Sequence, residues 1–391
     1  MTPAARLQAA IEILDQVIEG SPAEKALTGW ARRSRFAGSK DRAAVRDHVF
    51  ACLRAMRSFA VLGGSMTGRG LVLGMLREAG TNPDALFSGE GHAPAPLSEA
   101  ERADSRPFAS LAEELDVPDW LWPAFESSLG DDAPAAAAGL RSRAPVHLRV
   151  NLRKASSDQA IAALAEDGIA AEPHSASPTA LEVKEGARKL RNAKAYKNGL
   201  VELQDAASQA VVDLLPLSDG MKVLDYCAGG GGKSLAMGAR ADLKLAAYDI
   251  DPGRMKDLPD RAARAGLSVK CLSTGEVAQA APYDLVLCDA PCSGSGSWRR
   301  APEGKWRLTR ERLDEIRAIQ SSILDKVTSL MAPDGMLAYA TCSMLDEENH
   351  TQVERFLARS PEWRLLCERA WRVQDGTDGF YVALLTRTKP D

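Results

Sequence analysis

A chain of 391 residues is too long for one typical domain and suits two or three. With 45% hydrophobic and 26% charged residues its composition is ordinarily globular, without the continuous apolar run that a membrane-spanning helix needs. A formal net charge of −4 gives no global sign of a nucleic-acid binder, yet such an average hides local clusters.

The first residues, "MTPAARLQAAIEILDQVIEG", interrupt a helical apolar pattern with charges and lack the core of a signal peptide, so a cytoplasmic protein is expected. Apolar spacing predicts helices over 5–19 and about 41–62, with a basic helical stretch over 22–40 between them. An all-helical domain over 1–90 follows from this. The Pro-, Gly- and Ser-rich "SGEGHAPAPLSEAERADSRP" reads as a linker, placed at 91–114. After it, "VPDWLWPAFESSLG" predicts a short amphipathic helix. A strand "VHLRVNL", a capped helix "SSDQAIAALAEDG" and a strand "ALEVK" make 115–202 a small α+β module. From 203 to 391 strands and helices alternate: "KVLDYC", "KLAAYDID", "SVKCL", "YDLVLCDAPC", a helix near 309–331, "GMLAYATCS", a helix near 346–359 and a last strand "GFYVALLT". That succession predicts an α/β, Rossmann-like parallel sheet covered on both faces.

The loop "VLDYCAGGGGKS" admits three readings. A P-loop would need glycine where Cys227 stands, although Gly232, Lys233 and Ser234 fit its end. A dinucleotide fingerprint would need glycine where Ser234 stands. The third reading is a nucleoside-cofactor loop of the methyltransferase kind, in which Gly229, Gly230, Gly231 and Gly232 let the backbone approach S-adenosylmethionine. Asp249, ending the next strand, would then bind ribose hydroxyls; as a purely structural cap before "PGRMKDL", Asp251 suits better.

Seven cysteines without close C-x-x-C pairs fit neither a disulfide framework nor a zinc ribbon, and no metal is expected. Cys52, Cys271, Cys288 and Cys367 read as small buried hydrophobes. Cys292 in "DAPCSGSG" and Cys342 in "ATCS" instead follow strands into loops. If the strand order is 3-2-1-4-5, both lie beside the glycine loop at one sheet edge. A thiol beside a methyl donor suits methylation of a pyrimidine at carbon 5, because thiolate addition at carbon 6 makes carbon 5 nucleophilic.

The ordered motifs "LQDAASQ", "VLDYCAGGGGKS", "YDIDPGRM", "DAPCSGSGSWRRAPEGKW", "YATCSMLDEEN" and "DGFYVALL" resemble the RsmB/NOP2/Sun family of RNA cytosine-5 methyltransferases. The N-terminal helices are similar to the NusB-like RNA-binding domain of its bacterial RsmB branch. The resemblance implies Cys342 as nucleophile, Cys292 assisting breakdown of the covalent adduct, Asp289 between cofactor and base, and Lys233 toward the base. It places residues Cys227, Ala228 and Gly229 to Lys233 around the cofactor, with Asp249 on the ribose. The family loop usually has Ala-Pro at Gly229-Gly230, so a floppier loop is expected here. Its acidic residue near the adenine is replaced by Ser273 or a neighbour.

Three basic groups stand out: Arg32 to Arg46, Arg188 to Lys197, and Arg299 to Arg312. The third, "WRRAPEGKWRLTRER", interleaves Trp298 and Trp306 with arginines and reads as an RNA-facing surface. The expected partner is RNA, ribosomal RNA ahead of tRNA, with the protein a monomer and no membrane association. The competing reading from another class is an RNA-binding assembly factor that has lost catalysis.

Overall fold

The computed structural model describes residues 1–103 and 105–388 and divides into two compact units. One comprises residues 1–143 and 298–308, the other residues 144–297 and 309–391. The expected boundaries at 114/115 and 202/203 do not coincide with this division. The small α+β module clusters with the larger sheet, and an eleven-residue stretch after Cys292 clusters with the N-terminal helices.

In the first unit, α1 (Pro3–Ile18), α2 (Ala23–Arg33), α3 (Ser39–Arg54), α4 (Met56–Gly63) and α5 (Gly68–Glu78) pack around Leu14, Trp30, Val49, Leu53, Phe59 and Leu71. The expected helix over 41–62 breaks at Ala55 into α3 and α4. The sequence pattern does not predict α5, whose glycines lower its helical propensity. Gly74 is there for contact: a Cβ would fall 2.1 Å from Phe59 O. Among the described residues no single helix is long and apolar enough to cross a membrane.

The segment 298–308 corrects the expectation of an RNA-facing surface. Trp298 is 2% exposed and stacks on Phe125 with ring centroids 6.2 Å apart. Lys305 is buried, donates to Arg54 O at 3.0 Å and is pushed down to about 7 by that burial. Trp306 Nε1 donates to Leu53 O at 2.7 Å. Their apolar surface and donors are used up inside the unit.

The second unit holds two sheets. In the smaller, β1 (Val146–Val150), β2 (Ala170–Pro173), β3 (Ala180–Glu185) and β4 (Val201–Leu203) take the antiparallel order β2-β3-β1-β4. In the larger, β5 (Lys222–Asp225), β6 (Lys244–Ala247), β7 (Lys270–Cys271), β8 (Tyr283–Asp289), β9 (Met331–Thr341), β10 (Trp363–Trp371) and β11 (Phe380–Arg387) run in the order β10-β11-β9-β8-β5-β6-β7. Strands β7-β6-β5-β8-β9 are parallel, so the expected 3-2-1-4-5 order is present. The sheet is mixed rather than wholly parallel, because β11 runs antiparallel to both β9 and β10. The reversal between β5 and β8 opens the crevice where ligands of such sheets bind.

Candidate active site

At that crevice β5 ends in Asp225, and the loop that follows leads into the helix Gly232–Gly238. Tyr226 N donates to Leu287 O, Ala228 N to Tyr248 O and Gly231 N to Ala228 O, at 2.8–2.9 Å. Gly229 has φ +51°, and its N–H donates to Asp249 Oδ2 at 2.9 Å. Gly231 has φ +77°, and a Cβ there would fall 2.2 Å from Leu258 Cδ1. Glycine at 229 is thus the residue that reaches this left-handed conformation without strain. Gly230 O accepts from the Arg261 guanidinium, and Gly232 O accepts from buried Arg149 Nη1 at 2.8 Å. Tied at these points, the loop is held in place rather than floppy.

Below the loop Asp225 is buried, accepts from Ser234 Oγ at 2.6 Å and is pushed up to about 7 by burial. Lys233, also buried, donates to Asp289 Oδ2 at 2.7 Å with its ammonium 4.8 Å from the Phe380 ring centroid. Strands β8 and β9 pair Asp289 with Ala340, so the loops leaving them start side by side. Their cysteines meet: Cys292 Sγ lies 3.4 Å from Cys342 Sγ. Either sulfur can donate across this contact; with Cys292 as donor the Cys342 thiol is pulled below its ordinary range, burial and Asp289 opposing while Lys233 and Ser297 assist. Cys292 is pushed up by that same bond and by burial.

A buried carboxylate holds the two thiol-bearing loops together. Glu348 accepts from Ser293 N at 2.8 Å, from Ser293 Oγ and Ser343 Oγ at 2.5 Å each, and from Gln320 Nε2 at 3.1 Å. Each serine directly follows one of the cysteines. Burial raises the Glu348 pKa, and the serine bonds oppose that rise.

Loop, ion pair and thiols line one cavity of about 710 Å³, within the range of small-molecule and cofactor sites. Of the residues singled out from sequence, Cys227, Ala228, Gly229, Gly230, Gly232, Lys233, Asp249, Asp289, Cys292 and Cys342 line it. Gly231 does not: it turns the backbone behind the lining. Ser273 does not either, because it caps the helix Thr274–Gln279, giving its N–H and Oγ–H to Glu276 at 2.8 and 2.7 Å. Cys271 and Cys367 are exposed rather than buried, whereas Cys52 and Cys288 are buried as expected. Sequence reasoning missed the apolar wall of Tyr226, Tyr248, Ile250, Ile319 and Ile323. Ile250 is 80% exposed, a large apolar side chain offered to the cavity, and its position after "AYD" was the available signal. Glu348 was also missed, since "DEEN" does not mark which acid turns inward.

Elsewhere, His147, His174 and Glu182 bring ligand-type atoms within 4.8 Å of one another. Ligands sharing a zinc-like ion sit about 3.4 Å apart. Here Glu182 pairs with Lys184 at 2.7 Å and His147 Nδ1 lies 3.0 Å from Asp205, so a cation would have to draw the group inward.

A family model described as 16S rRNA methyltransferase RsmB/F matches residues 212–386, and one for the RsmF/B-like ferredoxin-like domain matches residues 117–188. The ribosomal RNA small subunit methyltransferase B of Escherichia coli is 31% identical over 335 residues, 82% of this chain and 73% of that protein. The chain belongs to the RsmB/F methyltransferase family. The like-named Citrobacter koseri protein is 32% identical over 302 residues, 75% of this chain but 66% of its own length. Among solved structures, PH0851 superposes with TM-score 0.78 and 24% identity over 99% of both chains. NSun6 from Pyrococcus horikoshii gives TM-score 0.61 and 16% identity over 70% of this chain and 99% of that one, a likeness of fold.

S-adenosylmethionine is the cofactor of RsmB/F methyltransferases, and the cavity suits it. The molecule combines an aromatic base, a polyhydroxyl sugar and a cationic centre. The cavity offers an apolar wall, a side-chain-free glycine loop and the carboxylates of Asp249 and Asp289.

Proposed function

We propose that this chain methylates carbon 5 of a cytosine in RNA, with small-subunit ribosomal RNA as the substrate class. The observation that carries the reading is the Cys292–Cys342 pair in the same cavity as the glycine loop, since methylation of an exocyclic amine needs no thiol. Cys227 to Gly230, Gly232 and Lys233 would hold the cofactor, with Asp249 toward its ribose. When bound, S-adenosylmethionine supplies an electrophilic methyl group.

Cys342 is the nucleophile. Its thiolate adds to carbon 6 of the cytosine, which loads carbon 5 with electron density for alkylation. Lys233, fixed by Asp289, orients the base and places positive charge where the ring becomes electron-rich. Cys292 first donates to Cys342 and keeps its own proton. After methyl transfer Cys292 gives its proton to solvent and its thiolate takes the carbon 5 proton; the electron pair of that C–H bond re-forms the 5,6 double bond and expels Cys342 as a thiolate. A base must leave its stack to reach such a pocket, at a cost of a few kcal/mol that is least in loops and single strands.

The test separates the thiols. Cys342→Ala should abolish methyl transfer, a loss of about 10⁴-fold or more. Cys292→Ala should accumulate a protein–RNA adduct, seen as a band shift on a denaturing gel. The reverse pattern would overturn the assignment of the nucleophile. Bisulfite sequencing of RNA from cells lacking the gene should show one cytosine losing its protection, and an unchanged ribosomal map would sink the substrate class.

A further inference from the structure

Within the first unit lies a second cavity, of about 460 Å³, in which five arginines face a single lining carboxylate, Asp47. Arg46 and Arg54 come from α3, Arg141 and Arg143 from the end of the helix Ala133–Arg141 and the residues after it, and Arg300 from the segment 298–308. Arg46 and Arg300 belong to two basic groups far apart in sequence, so no local run of charge revealed the cluster.

The arginines differ in how fully they are neutralised. Arg46 is held by Glu24 in a two-pronged pair, and Arg141 is bonded to Glu78 and to buried Asp116. Among the described residues Arg54 has no salt-bridged carboxylate partner. Its Nε donates to Arg299 O at 2.6 Å, and its two terminal nitrogens donate to no described group. Exposed Arg143 makes one long contact, 3.3 Å, to Asp47. Burial pushes Arg54 down to about 10, and the like charge of Arg143 adds to that shift. An oxyanion seated between these two guanidiniums would relieve their repulsion and accept from donors already turned to the cavity.

We propose that this arginine cavity is a binding site for the sugar-phosphate backbone of the RNA, contacting phosphates through Arg54, Arg143 and Arg300. The proposal rests on the RNA reading above. Size favours a polyanion over one phosphate: Arg46 and Arg54 are eight residues apart on one helix face, a rise of about 12 Å. Phe50 is buried, with Arg46 4.7 Å and Arg54 5.9 Å from its ring centroid, so it offers little surface on which a base could stack. The site therefore reads backbone rather than sequence. Chain connectivity ties it to the chemistry, since Arg300 lies eight positions after Cys292, which bounds their Cα separation at about 28 Å however the two units are arranged.

The test is fluorescence anisotropy of a labelled single-stranded fragment of small-subunit ribosomal RNA with the full chain, titrated in salt. For Arg54→Gln/Arg143→Gln/Arg300→Gln, affinity at low salt should fall about ten-fold or more. The slope of log affinity on log salt should shrink by about 2, three phosphates at roughly 0.7 each. Arg32→Gln/Arg33→Gln, a pair of exposed charges on α2, should stay within about two-fold of wild type. If loss of Arg54 prevents folding, the exposed Arg143/Arg300 pair carries the test, with a slope change of about 1.4. S-adenosylmethionine affinity by calorimetry should be unchanged in every variant. Wild-type affinity and slope in the triple variant would overturn the proposal. So would protection of wild type from melting by inorganic phosphate without any loss of RNA affinity in the variant, which marks a simple anion site. Because binding is read without methyl transfer, a lowered slope with no 5-methylcytosine formed would count against the proposed reaction alone.

Discussion

The loop from Asp289 to Ser297 and the segment from Trp298 to Leu308 are consecutive in the chain, and both carry residue types associated with RNA chemistry. In the first, the side chains converge as their place in the sheet requires: Asp289 on Lys233, Cys292 on Cys342, Ser293 on Glu348. In the second, tryptophans and lysine that resemble a stacking and charge platform are turned inward, against Phe125, Leu53 and Arg54. The difference lies in what each expectation rested on. A cysteine just past the end of a parallel strand is placed by topology, because neighbouring strands of known order must present their loops at one edge. A run of Trp and Arg is composition, and composition does not say which way a side chain points. Of the arginines in the second stretch Arg300 and Arg307 remain exposed, and the relevance of Arg300 depends on arginines from α3 and on Arg143.

The largest effect expected outside the thiols tests the inward reading of Trp298. Removing a fully packed tryptophan costs about 3–5 kcal/mol, so Trp298→Ala should lower the urea midpoint of the N-terminal unit markedly. An RNA platform would behave the other way, losing RNA affinity with stability intact, and that result would restore the discarded reading.

The parallel core and both thiol loops were legible because alternating strands and helices dictate neighbours, and strands with apolar runs declare themselves. Other elements were not, β10 and α5 among them. Strand β10 lies at the sheet edge with most of its side chains exposed, so "RLLCERA" shows no alternation. Helix α5 owes its place to glycines that weaken helical propensity and serve a close contact with α4. At the site, the glycine loop could be recognised, but the meaning of Gly229 waited on a backbone angle and on the bond to Asp249. Ser273 was assigned by its position after a strand, and a local helix cap with Glu276 claimed it instead.

A middle-sized effect probes the convergence of the first stretch. Glu348→Gln keeps the shape but replaces one acceptor oxygen with an amide donor, facing serine donors that then lack a partner. Methyl transfer should fall about 10–100-fold, equivalent to about 1.4–2.7 kcal/mol, with the KM for S-adenosylmethionine unchanged because no cofactor contact is altered. Accumulation of adduct would show that the effect falls on Cys292; slower adduct formation would place it on Cys342. A matching rise in the cofactor KM would mean that Glu348 supports the whole cavity rather than the thiol pair.

The smallest effect concerns the proton between the sulfurs. Adduct formation follows the thiolate fraction of Cys342, so with Cys292 as the donor between the sulfurs its rate should rise with pH and level off above a midpoint lying below the ordinary thiol range. Cys292→Ala removes that donor while burial and Asp289, which favour the neutral thiol, remain. The midpoint should therefore move upward, by about one pH unit for a hydrogen bond to a charged group worth about 1.5 kcal/mol. In single-turnover measurements the variant should form adduct more slowly near neutrality and recover toward the wild-type rate at high pH, even though it cannot release product. An unshifted midpoint would mean that Lys233 and Ser297 set the acidity of Cys342 on their own, and that the two thiols meet only for the release step.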